Sequence, residues 1–217
     1  CALAPETKPA LFELARVEDG IESVFGNLND RDSVEACVRQ ARPQIVLHLA
    51  ARAIVRQSIL APVDSILSNV LGTTHLLEAL RDAPDVSTIV VVTSDKVYAN
   101  DESGASFTED APLGGKDPYS ASKAATEMIV RSYRETYFRR KRIHLATARG
   151  GNVIGGGDYA ERIVPDIFRA IAAGKKPVLR MPNATRPWQH VLDCLSGYLA
   201  YAQALERNET DVVELNF

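Results

Sequence analysis

Two short runs constrain the chain most: Ile45-Val46-Leu47-His48-Leu49-Ala50-Ala51 and Thr88-Ile89-Val90-Val91-Val92-Thr93-Ser94. Each has the length of a strand, is apolar at consecutive positions, and ends in small or hydroxylated residues. A strand with one wet face alternates polar and apolar residues. A continuous apolar run belongs in a sheet covered on both sides, as parallel sheets are. Helix-length segments lie around these runs. Asp30 suits the N-cap of a helix over 31–41 that Pro43 ends, and further helices are expected over 63–81, from Pro118 onward, and over 164–173 and 191–205. Weaker strands are read at 23–28, 143–149, 177–179 and 212–217, with a Gly-rich turn over 150–157. Residues 1–20 read as an extended edge and then a short helical stretch through Leu11 and Leu14. Alternating strands and helices predict an α/β fold, a Rossmann-like doubly wound parallel sheet. The dinucleotide-binding part is expected over 1–150, and substrate-binding elements interleaved with late strands and helices over 151–217.

Composition narrows the function classes. With 217 residues the chain can bury one sizeable core, and a net charge of −3 offers no nucleic-acid footprint. The basic segment Arg139-Arg140-Lys141-Arg142 is short and reads as the solvated end of a helix. No apolar run reaches the length of a membrane span, and no secretory signal is visible. Cys1, Cys37 and Cys194 are odd in number and widely spaced, and His48, His75, His144 and His190 lack ligand spacing. Reduced thiols in the cytoplasm are expected, without metal.

In open α/β sheets ligands sit beyond the carboxyl ends of the strands. Three informative segments fall there: Leu49-Ala50-Ala51, Ser94-Asp95-Lys96 and Gly151-Asn152. Asp117-Pro118-Tyr119-Ser120-Ala121-Ser122-Lys123 adds a tyrosine and a lysine four residues apart, in the first turns of one helix and on one face of it. A phenol holds its proton to about pH 10, and a neighbouring ammonium is expected to lower that value so that the phenolate can serve as a base. Spacing alone does not separate this from a helix-surface pair. Tyr137 and Lys141 share it and read as solvated surface. Ser94-Asp95-Lys96 likewise fits ordinary turn chemistry, or an acid/base set in which the carboxyl is raised and the lysine lowered in pKa by desolvation.

Six segments decide by their order: His48-Leu49-Ala50-Ala51, Asn69-Val70-Leu71-Gly72-Thr73, Thr93 to Tyr98, Asp117 to Lys123, Gly151 to Asp158, and Arg186-Pro187-Trp188-Gln189-His190-Val191. The chain resembles the extended short-chain dehydrogenases/reductases, and within them the nucleotide-sugar 4,6-dehydratases. Lys96, the Gly-Gly-Gly-Asp over 155–158 and Arg186 to His190 point to the branch acting on CDP-glucose. That resemblance implies NAD as cofactor and Tyr119, Lys123, Ser94, Asp95 and Lys96 as catalytic residues. Tyr119 takes the 4-hydroxyl proton with help from Lys123, Lys96 removes the C5 proton, Asp95 protonates the departing 6-hydroxyl, and Ser94 bonds the O4 region. It also implies that Asn27, Leu28, Leu49, Ala50 and Ala51 line the cofactor, Asn27 replacing an Asp of relatives. Asn152, Arg162, Arg186 and His190 match positions that hold the nucleotide diphosphate, and Asn69 matches a structural asparagine. A homodimer formed through the Tyr119 helix and the long helix before it is implied as well.

The Gly-rich turn that a dinucleotide fold carries after its first strand is missing from these residues. The expectation is therefore a fragment, its first strand and helix about 30 residues upstream of Cys1 and most of a substrate-covering domain beyond Phe217. The alternatives are an epimerase or reductase of the same superfamily, another nucleotide-sugar dehydratase, or a non-catalytic nucleotide-binding remnant.

Overall fold

A computed structural model of the chain describes residues 3–5, 10–156, 162–179 and 181–217. Four parallel strands form the main sheet: β1 (Ile45–His48), β2 (Thr88–Val92), β3 (His144–Arg149) and β6 (Glu214–Asn216), in the order β1-β2-β3-β6. The period-two geometry of β2 explains its unbroken apolar run. Ile89 and Val91 face one layer with Val38, Leu77, Leu80, Val130 and Phe138, whereas Val90 faces the other with Cys194, Tyr198, Tyr201 and Leu205. The first layer consists of helices α2 (Arg31–Ala41), α5 (Gly72–Arg81) and α6 (Pro118–Tyr133). The second is α8 (Val191–Glu206). The doubly wound parallel sheet is as expected.

The α2 boundaries are those read from the sequence, with the Asp30 carboxylate accepting from the Ser33 amide at 3.2 Å. The long helix preceding β2 is interrupted. Helices α3 (Val55–Leu60) and α4 (Pro62–Ile66) lead into a π-turn at Leu67–Leu71, and α5 follows without a break. Helix α1 occupies Leu11–Leu14, as the short helical stretch required.

Three strand expectations change. The 23–28 segment forms none of the described strands: Phe25 alone is a bridge residue, Val24 and Phe25 are exposed, and Phe25 meets Phe12 edge-on at 6.1 Å. The 177–179 segment is irregular and exposed, and Pro177 has no N–H to give a ladder. Within the expected Gly-rich turn, β4 (Asn152–Ile154) instead pairs in parallel with β5 (Trp188–His190) as a separate two-stranded sheet. Gly157 and Asp158 lie outside the described residues, as does Cys1. Helix α7 (Ile163–Ala172) starts within a residue of its expected place, and Arg139, Arg140 and Lys141 are exposed at the end of the α6 segment.

Candidate active site

The site is built where β2 and β3 end. Their pairing persists past β2: the Thr93 amide donates to the Ala148 carbonyl at 2.8 Å and the Asp95 amide to the Gly150 carbonyl at 2.9 Å. Ser94 then caps a single 3-10 turn over Asp95–Val97, its hydroxyl accepting from the Lys96 amide at 3.2 Å and donating to Asp95 Oδ1 at 3.1 Å. This turn delivers three functional groups in succession. Ser94 is buried, Asp95 half-buried, and Lys96 exposed. Lys96 is thus not buried by the described residues, whereas the desolvation reading expects it covered.

Helix α6 brings the second set. The Asp117 carboxylate accepts from the Ser120 amide at 3.0 Å and from its hydroxyl at 2.6 Å, and Pro118 occupies the first turn. Tyr119 and Lys123 therefore start the helix on one face, and both are buried. Helix α6 packs against the turn over Asp95–Val97, and Ser94 lies near enough to the phenol to act on its pKa, which joins the two sets. Burial pushes the phenol above its ordinary pKa; Asp95 and Asp117 act in the same direction, whereas the nearby Ser94 hydroxyl and the Arg162 guanidinium oppose it. This reverses the expected lowering by Lys123. The ammonium is directed elsewhere, Nζ donating to the Val92 carbonyl at 2.9 Å. Burial lowers the Lys123 pKa to about 8, against the pull of Glu127.

Behind the site lies His48, the last residue of β1. Burial and the Lys123 charge lower its pKa to about 3, so it is neutral, with Nε2 2.9 Å from Thr73 Oγ1. Leu49, Ala50 and Ala51 follow on the site side of the sheet, Leu49 being exposed. The loop is fixed just beyond them, where Asn69 Oδ1 accepts from the Arg52 amide at 2.8 Å and Nδ2 donates to the Arg52 carbonyl at 3.2 Å.

The other residues singled out in the sequence are less central. Asn27 is exposed and folded on its own turn, Oδ1 accepting from the Asn29 amide at 3.0 Å. Leu28 is held against α5, its carbonyl 2.9 Å from His75 Nδ1. Asn152 and His190 lie on the β4–β5 pair, where Ile154 is level with His190. His190 caps α8, Nδ1 accepting from the Leu192 amide at 3.3 Å. Arg186 is exposed two residues before β5. Of the four diphosphate candidates, only Arg162 exerts a resolved influence on Tyr119.

Sequence reasoning missed one feature, a buried ion pair beneath the site. The Glu127 carboxylate accepts from Arg149 Nε at 3.1 Å and Nη2 at 3.0 Å, and from the hydroxyls of Thr93 at 2.5 Å and Thr147 at 2.9 Å. Arg149 Nη1 donates to the Tyr98 hydroxyl at 3.0 Å and the Glu109 carbonyl at 2.8 Å. Two signals were available: Glu127 stands four residues after Lys123, and Arg149 is a charge ending an apolar strand. Among the described residues no cluster suits a metal, and no helix is long and apolar enough to cross a membrane.

Beyond a parallel sheet's strand ends, a buried Tyr–Lys pair thus meets a Ser-Asp-Lys turn in an α/β protein of Rossmann type. A family model described as GDP-mannose 4,6 dehydratase matches residues 9–215, and the chain belongs to that family. A CDP-glucose 4,6-dehydratase of Salmonella typhimurium is 40% identical over 94% of this chain and 58% of its own length. A dTDP-glucose 4,6-dehydratase of Xanthomonas campestris pv. campestris is 32% identical over 84% of this chain and 54% of its own. The chain thus spans a little over half the length of these relatives. Among solved structures, the Streptomyces venezuelae dTDP-glucose 4,6-dehydratase DesIV with NAD bound is similar with a TM-score of 0.78, at 27% identity over 94% of this chain and 60% of that one. The Bacillus anthracis dTDP-glucose 4,6-dehydratase in complex with NAD follows at 0.74, 28% identical over 89% of this chain and 57% of that one.

Proposed function

We propose that this chain carries the catalytic core of an NAD-dependent nucleotide-sugar 4,6-dehydratase whose substrate is CDP-glucose. The observation that carries the reading is the packing of the α6 turn bearing buried Tyr119 and Lys123 against the turn at the end of β2 that bears Ser94, Asp95 and Lys96. A hydroxyl proton acceptor and a carboxyl thereby stand at the same strand end, with the amine of exposed Lys96 next along the turn. The donor set fits a dinucleotide: Lys123 and Tyr119 stand beside a strand-end segment of small residues, Ala50 and Ala51, that lets a flat ligand approach the backbone. Leu49, Ala50 and Ala51 line it, with Asn27 and Leu28 at its far end.

When bound, NAD supplies the hydride acceptor for C4, the hydride returned to C6, and a positive charge near the phenol. Tyr119, as the phenolate that the Lys123 ammonium stabilises, takes the proton from the 4-hydroxyl and becomes the neutral phenol, with Ser94 bonding the O4 region. The ketone at C4 acidifies C5. Lys96, as the neutral amine that covering by the sugar favours, removes that proton and becomes the ammonium, and Asp95, as the carboxylic acid, protonates the 6-hydroxyl as it leaves. Water departs, and the product is the CDP-linked 4-keto-6-deoxy sugar with no net oxidation. Arg162, with Arg186, Asn152 and His190 around the small sheet, holds the diphosphate; a guanidinium suits it by permanent charge and forked donors.

Lys96 and the 40% identity to a CDP-glucose dehydratase favour the CDP sugar over dTDP sugars. Assembly as a homodimer through the α3, α4 and α6 surface accounts for exposed Ile59, Leu60, Val63 and Met128, a patch of the kind that marks an interface.

The test is Lys96→Met in the full-length protein, mixed with CDP-glucose in deuterated water. Bound NAD should still be reduced, while C5 of the recovered sugar takes up no deuterium. Deuterium at C5 in that variant removes Lys96 from the mechanism. Absence of the 4-keto-6-deoxy product from the full-length wild-type protein removes the reading altogether.

A further inference from the structure

We propose that Glu127 is a positioning residue of this centre: its buried carboxylate, locked by Arg149, is the counter-charge that faces Lys123 from one helical turn away and ties the Ser94–Lys96 turn to the same ion pair. The inference rests on the reading of Lys123 as the partner of Tyr119.

Four hydrogen bonds fix the carboxylate, from Thr93 on the β2 side, from Thr147 on β3, and two from Arg149. Glu127 and Arg149 side chains are 2% and 0% exposed, so solvent does not screen what the carboxylate does. Burial works to lower the Arg149 pKa, but the Glu127 bond and charge more than offset it and Arg149 stays charged. Glu127 follows Lys123 by one turn, the spacing that places two side chains side by side. Lys123 is buried, touches the Val92 carbonyl, and has neutral His48 on its β1 side. Glu127 is the one negative group that acts on it against desolvation.

The same ion pair reaches the catalytic turn by two routes. Thr93 immediately precedes Ser94 and donates to Glu127, while Arg149 bonds Tyr98, which follows the turn. Tyr98 is fixed in turn by Asn216, 2.5 Å from its hydroxyl, and by stacking on Phe107 at 5.1 Å. Both ends of the Ser94–Lys96 turn thus hang on the partners of Glu127. A carboxylate that served packing alone would need neither the lysine on one side nor the turn on the other.

The experiment follows Lys123 directly, by heteronuclear NMR titration of lysine Cε–Hε groups in the full-length, NAD-loaded protein, the signal assigned by its loss in Lys123→Arg. Glu127→Gln keeps the shape and removes the charge. It should move the Lys123 midpoint to lower pH by about one unit or more, and the alkaline fall of C4 oxidation should move with it. Glu127→Asp, which withdraws the charge by one methylene, should shift both in the same direction by less, and serves if the Gln variant does not fold. A melting temperature that drops while the Lys123 midpoint stays put assigns Glu127 a packing role and overturns the proposal. A midpoint that moves while the alkaline fall does not shows that Lys123 is not the group supporting Tyr119, and the catalytic reading of Lys123 fails with it.

Discussion

Asn69 Nδ2 donates to Ser122 Oγ at 2.9 Å, and Ser122 Oγ in turn donates to the Tyr119 carbonyl at 2.7 Å. A π-turn makes this possible: its looser backbone leaves the Asn69 carbonyl to accept from Thr73 Oγ1 at 2.7 Å and Thr126 Oγ1 at 2.9 Å. One buried amide therefore connects the loop after β1 to the turn that carries Tyr119 and Lys123. Asn69→Ala leaves the Arg52 amide and carbonyl unpaired, at a cost of about 1–3 kcal/mol for each buried group left unsatisfied. The melting temperature should fall by roughly 2–4 °C per kcal/mol for a chain of this size, and NAD should be lost on gel filtration. Thermal melts with a cofactor assay on the eluted protein check both.

His48 predicts an acid sensitivity unrelated to catalysis. Its folded pKa of about 3 lies below the ordinary 6.5, so the unfolded chain binds the proton first. Its contribution is fully present above about pH 6.5 and is lost as pH falls from there towards 3, at up to roughly 1.4 kcal/mol per pH unit. Urea melts at pH 7.5 and 5.5 should differ in wild type, and the difference should shrink in His48→Asn.

Glu214 predicts a second, lower window. Burial works to raise its pKa, but the Arg134 bond at 2.8 Å and the Arg134 and Arg131 charges bring it below the ordinary value. Its stabilisation is present above the unfolded value of 4.5 and lost as pH falls through the folded one. Glu214→Gln should cost about 1–3 kcal/mol at neutral pH, and the penalty should fade in melts carried towards pH 3.

Gly115 lies against the first turn of α6. A Cβ there would come within 2.3 Å of the Ala121 nitrogen and 2.5 Å of the Ser120 carbonyl carbon. Gly115→Ala must displace the backbone that carries Tyr119, costing about 1–3 kcal/mol and reducing the rate of C4 oxidation. Gly20→Ala, where a Cβ meets nothing within 4 Å, is the control and should leave both unchanged.

Local signals foretold the parts that local chemistry decides. The unbroken apolar run of β2 requires two covered faces, and Ile89 and Val90 indeed face opposite layers. Asp117-Pro118 announces the start of α6 because a carboxylate cap and a proline in the first turn act within a few residues. Association across the chain was out of reach. β4 and β5 have three residues each, too few for a periodic signal, and their pairing joins positions 152 and 188. The Glu127–Arg149 bond is equally non-local, and it altered the reading of Lys123. The raised phenol pKa of Tyr119 also depends on burial, which spacing along a helix does not reveal.

The hydrogen bond between Tyr98 and Asn216 links residues 118 positions apart, and the bond from Arg149 to Tyr98 completes the path to Glu127. Closing so long a loop comes late in folding, after nearer contacts have formed. Before β6 docks, the Ser94–Lys96 turn has its Thr93 and Arg149 anchors, but Tyr98 beyond it lacks its Asn216 partner. Docking of β6 on β3 thus also orders a side chain at the edge of the candidate site, which ties the site's final shape to a late, long-range pairing.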